Sequence, residues 1–311
     1  TITATASDKV LTYNGTNGNN GTAQSCANVT VTTPSSGASV TYATKSGTTC
    51  GTYGNAPTLT NVNDGPKTIC YKVTATNYAT ETGEYTCSMN KANGNIVLSA
   101  TSGTTVYPNT KTFTVTTNKS GGALSASPTS GDVVATASVS GTTVTATPQK
   151  TGTQTITVTS AETNNYNAAT ATYGLTVTDG GITHDVNDVS KTYDGTALVC
   201  NGVTNVVPSG AEVKYRTTTS GAYNLSSAPS ITNVSDSKTI YYQITADNYN
   251  TVTGQFDCSV TKADCTVSLN PTSGTTAYPA PKTFTASTNS GGALSVSPTS
   301  GSTNVATASI S

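Results

Sequence analysis

Residues 67–87 read KTICYKVTATNYATETGEYTC, and residues 238–258 read KTIYYQITADNYNTVTGQFDC. Both segments begin with apolar side chains at every second position, starting at Ile69 and at Ile240. Alternation with period two is typical of a β-strand that has one buried and one solvent-exposed face. Because the whole segment occurs twice, it belongs to a structural unit that is repeated along the chain.

The repeat extends outward from these segments with a period of about 171 residues. On one side, LTYNGT at 11–16 matches KTYDGT at 191–196. On the other side, TSGTTVYP at 101–108 matches TSGTTAYP at 272–279. Two kinds of module therefore alternate, and we call them A and B. The predicted boundaries are A1 at 1–91, B1 at 92–179, A2 at 180–262 and B2 at 263–311. We expect B2 to be truncated, since B1 continues into further strands beyond the position that matches Ser311.

The apolar residues of module B follow the same alternation in several short runs separated by Gly, Pro and Asn. Strands spaced by turn residues, with no helical period, predict an all-β chain of β-sandwich modules. The predicted inward-facing positions are Phe113, Val115, Val144, Ala146, Ile156, Val158, Tyr173, Leu175 and Val177.

The composition excludes several classes of partner. Of the 311 residues only 9% are charged, and the formal net charge is −1. Binding to nucleic acid or anionic lipid requires a basic patch on the protein surface. A chain with few charges and a net charge of −1 is not expected to present one, so we expect neither as a partner. No segment approaches the roughly 20 consecutive apolar residues of a membrane span, so no membrane insertion is predicted for this segment.

Module A resembles the bacterial immunoglobulin-like repeats named after a Tyr-Asp-Gly signature and the related MBG repeats of large surface proteins. The residues that carry the resemblance are Lys191, Thr192, Tyr193, Asp194, Gly195, Thr196, Asn248, Tyr249, Gly254, Thr261, Lys262 and Ala263. The first copy departs from the signature at Leu11 and Asn14. Module B resembles the group-two bacterial immunoglobulin-like domains through VATASVSGTTVTATPQKTGTQTITVT at 134–159 and ATATYGLTVT at 169–178.

The two resemblances imply tandem immunoglobulin-like β-sandwich modules in an elongated repeat array. They also imply an extracellular location at the cell surface, where such modules serve as spacers in adhesins. The signatures mark the fold and not a ligand, so they assign no catalytic residue and no cofactor.

Alignment of the A copies places Cys26 on Cys200 and Cys87 on Cys258, which predicts one disulfide in each copy. Cys50 and Cys70 occur only in the first copy and are predicted to form a third disulfide. Cys265 is the seventh cysteine and is predicted to be unpaired, with an intermolecular bond as the alternative.

Other candidate sites are weaker. Six sequons mark candidate glycosylation acceptors, Asn14, Asn20, Asn28, Asn118, Asn224 and Asn233. A metal site is not predicted, because no CxxC pair is present and His184 has no ligand cluster beside it in the sequence. Acidic residues such as Asp64, Asp185 and Asp188 are candidate calcium ligands at the linkers, with polar turns as the favoured interpretation. We expect no enzymatic activity, since His184 is the only histidine and is predicted to lie in a solvated linker.

Two functions remain open from the sequence. The first is a structural one, a stalk or fibre segment of a bacterial surface adhesin or surface filament. Its partners would be neighbouring modules, copies of itself in a longer fibre, and a host or matrix surface. The second is a carbohydrate-binding or adhesive module that contacts host or matrix glycans, which calls for a concave aromatic site.

Overall fold

The structure is a computed structural model that describes residues 1–16, 21–129, 131–297 and 306–310. Within these ranges the chain forms 27 strands and two short 3₁₀ helices, Val62–Asp64 and Val234–Asp236. The strands of the first half are β1 Thr3–Ala6, β2 Lys9–Thr12, β3 Gln24–Ser25, β4 Val29–Thr33, β5 Ser39–Ser46, β6 Thr49–Cys50, β7 Thr58–Leu59, β8 Lys67–Thr74, β9 Glu81–Asn90, β10 Ile96–Leu98, β11 Ser102–Val106, β12 Lys111–Asn118, β13 Leu124–Pro128, β14 Ala135–Ser140, β15 Thr143–Pro148, β16 Gly152–Ser160 and β17 Ala169–Thr178.

The second half continues in the same manner. Its strands are β18 Thr183–Val186, β19 Val189–Thr192, β20 Leu198–Val199, β21 Val203–Val207, β22 Glu212–Arg216, β23 Ser230–Ile231, β24 Lys238–Thr245, β25 Val252–Thr261, β26 Val267–Asn270 and β27 Thr285–Thr288. The protein is therefore an all-β chain of tandem immunoglobulin-like sandwich modules, in agreement with the predicted fold class.

The chain divides into two compact units. Unit 1 comprises Thr1–Gly181 together with Asp247–Asn250, and unit 2 comprises Ile182–Ala246 and Thr251–Ser311. The boundaries of the four modules stay a prediction, and the names A1, B1, A2 and B2 refer below to their predicted residue ranges.

The first two strands of module A1 belong to two different sheets. Strand β1 pairs with β4, after which the chain crosses over and β2 runs parallel to β9. The larger sheet has the order β2-β9-β8-β5-β6. The alternation predicted from the sequence is confirmed on β8, where Ile69, Tyr71 and Val73 are buried. Their burial against the smaller sheet forms the core of A1.

Module B1 is built from two four-stranded sheets, β10-β12-β15-β14 and β11-β17-β16-β13. Strand β11 again runs parallel to the last strand of the module, β17. The predicted inward-facing positions are all buried, and Phe113 stacks on Tyr173 with ring centroids 3.9 Å apart. The period-two pattern is thus sufficient to identify the core of this module.

Module A2 repeats the plan of A1. Its main sheet has the order β19-β25-β24-β22, with β19 parallel to β25, and β18 pairs with β21. Ile240, Tyr242 and Ile244 of β24 are buried, as Ile69, Tyr71 and Val73 are in A1. In the segment that follows A2, strands β26 and β27 form an antiparallel pair.

A glycine on the last strand of each A module lies beneath a tyrosine ring of the neighbouring strand. Tyr71 is paired across the sheet with Gly83, and Tyr242 with Gly254. A Cβ built on Gly83 would lie 2.6 Å from Cζ of Tyr71, and one built on Gly254 would lie 2.5 Å from Cζ of Tyr242. The ring covers the bare backbone, which is how aromatic residues compensate for glycine within a sheet.

We expect Gly83→Ala to lower the free energy of unfolding of A1 by about 1–3 kcal/mol, because the new methyl group overpacks a buried ring. The matched control is Gly54→Ala, since a Cβ at Gly54 meets no atom within 4 Å. Urea denaturation of both variants measures the effect. Equal losses in the two variants would contradict the expectation.

Candidate functional site: the junction of modules A1 and B1

The junction of A1 and B1 is organised by a tyrosine that belongs to one module and is buried with the other. Tyr166 lies in the loop between β16 and β17 of B1, and it belongs to the hydrophobic core cluster of A1. Only 1% of its surface is exposed. The side chain therefore acts as a plug that closes the end of A1.

The backbone of the same loop forms a short β-bridge to the residue that follows A1. Ala92 and Tyr166 pair in parallel, with the amide of Ala92 donating to the carbonyl of Asn165 at 2.9 Å. The amide of Asn167 donates back to the carbonyl of Ala92, also at 2.9 Å. The loop of B1 thus extends the hydrogen-bonded structure of the segment that links the two modules.

The side chain of Asn165 fixes the loop to the 3₁₀ helix of A1. Its Oδ1 accepts the amide hydrogen of Val62 at 3.0 Å, and its Nδ2 donates to Oδ1 of Asn61 at 3.0 Å. Amides at the start of a helix have no partner within the helix, so an external acceptor satisfies one of them. One asparagine therefore hydrogen-bonds to both the backbone and a side chain of the neighbouring module.

The ring of Tyr166 is held at its edge and at its hydroxyl. It meets Tyr13 of A1 edge-to-face, with centroids 5.2 Å apart and an interplanar angle of 85°. Its hydroxyl donates to the carbonyl oxygen of Gly15. Burial, together with the proximity of Tyr13, raises the pKa of Tyr166 above its ordinary value of 10.0. The group consequently stays neutral and able to donate at physiological pH.

Charged side chains surround this plug. Lys91 of A1 forms an ion pair with Glu162 of B1, and Lys119 lies over the ring of Tyr166 with Nζ 5.8 Å from the centroid. Exposed ion pairs of this kind contribute only about 0–1 kcal/mol. The buried tyrosine and the asparagine, and not the ion pair, therefore hold the junction.

Unit 1 contains a second arrangement of the same kind around Asp247–Asn250. Tyr249 meets Tyr107 edge-to-face at 5.4 Å, and Tyr249 pairs in parallel with Gly180. Oδ1 of Asn248 accepts the amide hydrogen of Thr151 at 2.8 Å. An Asn-Tyr pair thus makes the same three contacts twice, namely to a tyrosine ring, to a linker residue and to a backbone amide.

Sequence reasoning used Asn248 and Tyr249 only as part of a family signature and missed their role. The usable signal was the Asn-Tyr pair itself, which precedes the last strand at 77–78, 165–166 and 248–249. Because the pair occurs in loops of both module kinds, it is independent of either fold signature.

The structure joins six of the seven cysteines in the predicted pairs. Disulfides link Cys26 to Cys87, Cys50 to Cys70 and Cys200 to Cys258. In the first and third, the residue directly after an early strand of an A module is joined to the last strand of that module, and all four of their cysteines are fully buried. In A1 the hydroxyl of Tyr85 donates to the carbonyl of Cys26, and burial raises the pKa of Tyr85 to about 12.

Cys265 is free and exposed. Its Sγ lies 3.2 Å from Oγ of Ser290 and 3.4 Å from Oγ1 of Thr288. The hydrogen bonds that the thiol forms with Ser290 and Thr288 lower its pKa below the ordinary value of 9.0.

The acidic candidates for calcium binding act as hydrogen-bond acceptors, Asp64 within its own turn and Asp185 and Asp188 toward residues distant in the sequence. Asp188 accepts the amide hydrogen of Asp257, and Asp185 accepts from the side chain of Asn205. Asp64 accepts the amides of Thr60 and Asn61. In the described ranges the one group with metal-like spacing is Cys50, Cys70 and Glu84, and two of its members form a disulfide.

The carboxylate of Asp64 supports the 3₁₀ helix that carries the contact to Asn165. Both of its backbone hydrogen bonds measure 2.7 Å, and they lower the pKa of Asp64 below its ordinary value of 3.8. A lowered pKa stabilises the folded state above the unfolded pKa, and this contribution disappears as the pH falls through the folded value. The Asp64 contribution is therefore complete above about pH 5 and is lost progressively as the pH falls through the folded-state pKa.

We expect the urea midpoint of A1 to fall between pH 5 and pH 2 more steeply in the natural protein than in Asp64→Asn. Asparagine at this position does not titrate, so the part of the slope that belongs to the carboxylate disappears. Parallel slopes in the two proteins would show that the carboxylate does not stabilise this turn.

The Tyr-Asp-Gly signature of A2 forms a local turn. Nζ of Lys191 donates to Oδ1 of Asp194 at 2.7 Å and to the carbonyl of Thr196 at 2.6 Å. The ammonium group of Lys191 holds the pKa of Asp194 well below its usual range. In A1 the corresponding Asn14 bonds instead to Thr22. The acid therefore shapes a turn in one copy only.

The sequon asparagines differ in the freedom of their amide nitrogens. Asn118 donates to the carbonyl of Gly122 and joins a network with Ser120 and Ser160, so one hydrogen of its amide nitrogen is already used inside the module. Asn28 donates to Ser7, and Asn233 donates to Asp236. The sixth acceptor, Asn20, lies outside the described residues, while Asn224 is exposed.

The placement of His184 in a solvated linker was wrong. The residue lies in strand β18 and is half-buried, with Nε2 2.6 Å from the hydroxyl oxygen of Tyr242. A Thr-His-Asp-Val sequence alternates too weakly to be recognised as a strand. The imidazole is therefore a structural partner of a core tyrosine.

No protein-family model matches this chain, and no curated protein matches it. Solved structures of low similarity include the Sidekick-1 immunoglobulin domains 1–5, at 11% identity and a TM-score of 0.32 over 84% of this chain. The chain spans 59% of that fragment. The I9-I11 tandem from titin gives 11% identity and a TM-score of 0.30, covering 85% of this chain and 100% of the titin chain. Mouse cadherin-23 EC22-24 gives 13% identity and a TM-score of 0.29, covering 85% of this chain and 99% of the cadherin chain.

Superpositions at this level establish neither homology nor function. Separately, no helix within the described residues is long and apolar enough to cross a membrane.

Proposed function

We propose that this chain is a structural segment of an extracellular protein, a stalk or fibre that holds other parts of a molecule away from a surface. In its finer form, the proposal places the segment in a bacterial surface adhesin or surface filament. The sequence signatures at 191–196 and 134–159 support the finer form.

The observation that carries the proposal is the buried plug between A1 and B1. A spacer holds a fixed distance only when its modules are joined firmly. Flexible linkers would let the relative orientation of neighbouring modules vary. Tyr166 instead shares the core of A1, and Asn165 adds two hydrogen bonds. Such a junction resists bending, because rotation would expose an aromatic ring and break its bonds to the partner module.

The disulfides support the extracellular part of the proposal. The three disulfide bonds suit an oxidising compartment, where disulfides form and persist. The single histidine bonds to a core tyrosine, which supports a role without catalysis. The low content of charged residues, 9% of the chain, is compatible with either a stalk or a fibre.

Small-angle scattering of the oxidised chain tests the proposal. A compact sphere of this length has a radius of gyration of about 19 Å. We expect a value above about 25 Å, since four modules in line with strands of roughly 23 Å extend to about 90 Å. A value near that of the sphere would refute the stalk, and binding of the same chain on a glycan array would favour the carbohydrate-binding alternative.

A further inference from the structure

Module A2 carries the same surface that receives Tyr166 on A1. On A1 this surface, here called the socket, consists of Tyr13, Gly15, the helix start at Asn61 and Val62, and the linker residue Ala92. The corresponding residues of A2 are Tyr193, Gly195, Asn233, Val234 and Ala263. At these five positions the A2 socket therefore has the same residue types as the A1 socket.

The two sockets differ in exposure. Tyr13 is 4% exposed and Ala92 is 7% exposed in A1, whereas Tyr193 is 43% exposed and Val234 is 37% exposed in A2. Ala263 is exposed as well. A tyrosine that is buried by a neighbour in one copy is thus open to solvent in the other.

The A2 socket is already built, because the 3₁₀ helix at its edge has the same supports. Oδ2 of Asp236 accepts the amide of Asn233 at 2.8 Å, as Asp64 does for Asn61. One difference concerns the asparagine side chain. In A2, Nδ2 of Asn233 donates to Asp236 at 3.1 Å, whereas in A1, Oδ1 of Asn61 receives Nδ2 of Asn165.

We infer that the A2 socket is a docking site for the Asn-Tyr loop of a B-type module, of the kind formed by Asn164–Asn167 in B1. The occupant follows from the A1 socket, which has the same residues and holds this loop. No Asn-Tyr pair follows residue 263 in this sequence. The inference goes beyond the proposed function, since docking would hold whether the modules form a stalk or bind glycans.

The position of Cys265 permits a direct test. Cys265 corresponds in the repeat to Gly94, and a Cβ built on Gly94 would lie 3.0 Å from Cβ of Ala169 and 2.5 Å from the carbonyl oxygen of Asn167. A loop docked on A2 must therefore lie farther from residue 265 than the loop of B1 lies from Gly94. A cysteine in place of Ala169 would then lie close to the 3.5–4.5 Å that disulfide-bonded Cβ atoms require.

The probe is the decapeptide of residues 160–169, SAETNNYNAA, carrying Ala169→Cys. The glutathione disulfide of the peptide is equilibrated with the full chain, and the measured quantity is the equilibrium constant for exchange that forms the mixed disulfide with Cys265 and releases glutathione. The matched peptide also carries Asn165→Ala and Tyr166→Ala. We expect its equilibrium constant to be about tenfold lower, as the loss of one buried contact of roughly 1.4 kcal/mol implies.

The chain variant Tyr193→Ala provides the second comparison. Tyr193 is 43% exposed and is not among the buried core residues, so we expect the variant to fold, and the difference between the two peptides should disappear. Equal constants for the two peptides on the natural chain would overturn the inference. A third peptide, residues 72–81 with Glu81→Cys, presents the Asn77-Tyr78 loop. A larger constant for this peptide would also overturn it and would point to docking of a second copy of the chain.

Discussion

Tyr166→Ala should lower the free energy of unfolding of A1 by about 3–5 kcal/mol, although the substituted residue belongs to B1. The reason is that the ring is almost fully buried in the core cluster of A1, so its removal leaves a cavity there. Urea denaturation followed by hydrogen exchange of the β8 amides measures the loss in A1 itself. Tyr166→Phe should cost only about 1 kcal/mol, since it removes the hydroxyl that donates to Gly15 and keeps the ring.

The matched control is Tyr78→Ala. Tyr78 occupies the corresponding Asn-Tyr loop of A1 and is 40% exposed, so we expect a change within about 0.5 kcal/mol. A loss of less than 1 kcal/mol for Tyr166→Ala would mean that A1 is stable without the plug. The two modules would then be neighbours along the chain without a shared core.

Removal of the Cys26–Cys87 disulfide should have a comparable effect. The bond closes a loop with a sequence separation of 61, for which the chain-entropy model gives about 4 kcal/mol of stabilisation. The double variant Cys26→Ala/Cys87→Ala avoids leaving a reactive thiol. Its unfolding free energy is compared with that of the natural protein under oxidising conditions.

The pair Cys50→Ala/Cys70→Ala is the internal comparison. Its loop has a separation of 20, so the expected loss is about 3 kcal/mol. The longer loop should therefore be the more costly one to open. The reverse order would show that packing around the fully buried Cys70, and not the entropy of the unfolded chain, governs the stability of A1.

Much of the fold follows from local pattern. Alternation at Ile69, Tyr71 and Val73 specified a buried strand, and the repeat showed that Ile240 begins its counterpart. The cysteine pairs followed because two copies could be compared, so that Cys50 and Cys70 stood out as present together or absent together. Such inferences succeed because each depends on a face or a register that neighbouring residues determine.

The junction could not be predicted in the same way. Whether Tyr166 is buried depends on a surface of A1 that is distant in the sequence, and a tyrosine beside two asparagines also suits an exposed turn. The prediction for His184 was wrong for a related reason, since its hydrogen bond to Tyr242 joins residues on different strands. Contacts between separate elements require coordinates, because no periodicity within one segment encodes them.

The parallel pairing at the edge of each module has a mechanical consequence. In A1 the first strand of the main sheet, β2, runs alongside β9 from Lys9 opposite Cys87 to Thr12 opposite Asn90. Force applied to the two ends of such a module pulls these strands past each other, so that all the bonds between them bear the load at once. β11 with β17 and β19 with β25 share this geometry. These three modules are therefore arranged to yield in shear, and in the A modules the sulfur bridge would limit how far the chain lengthens afterwards.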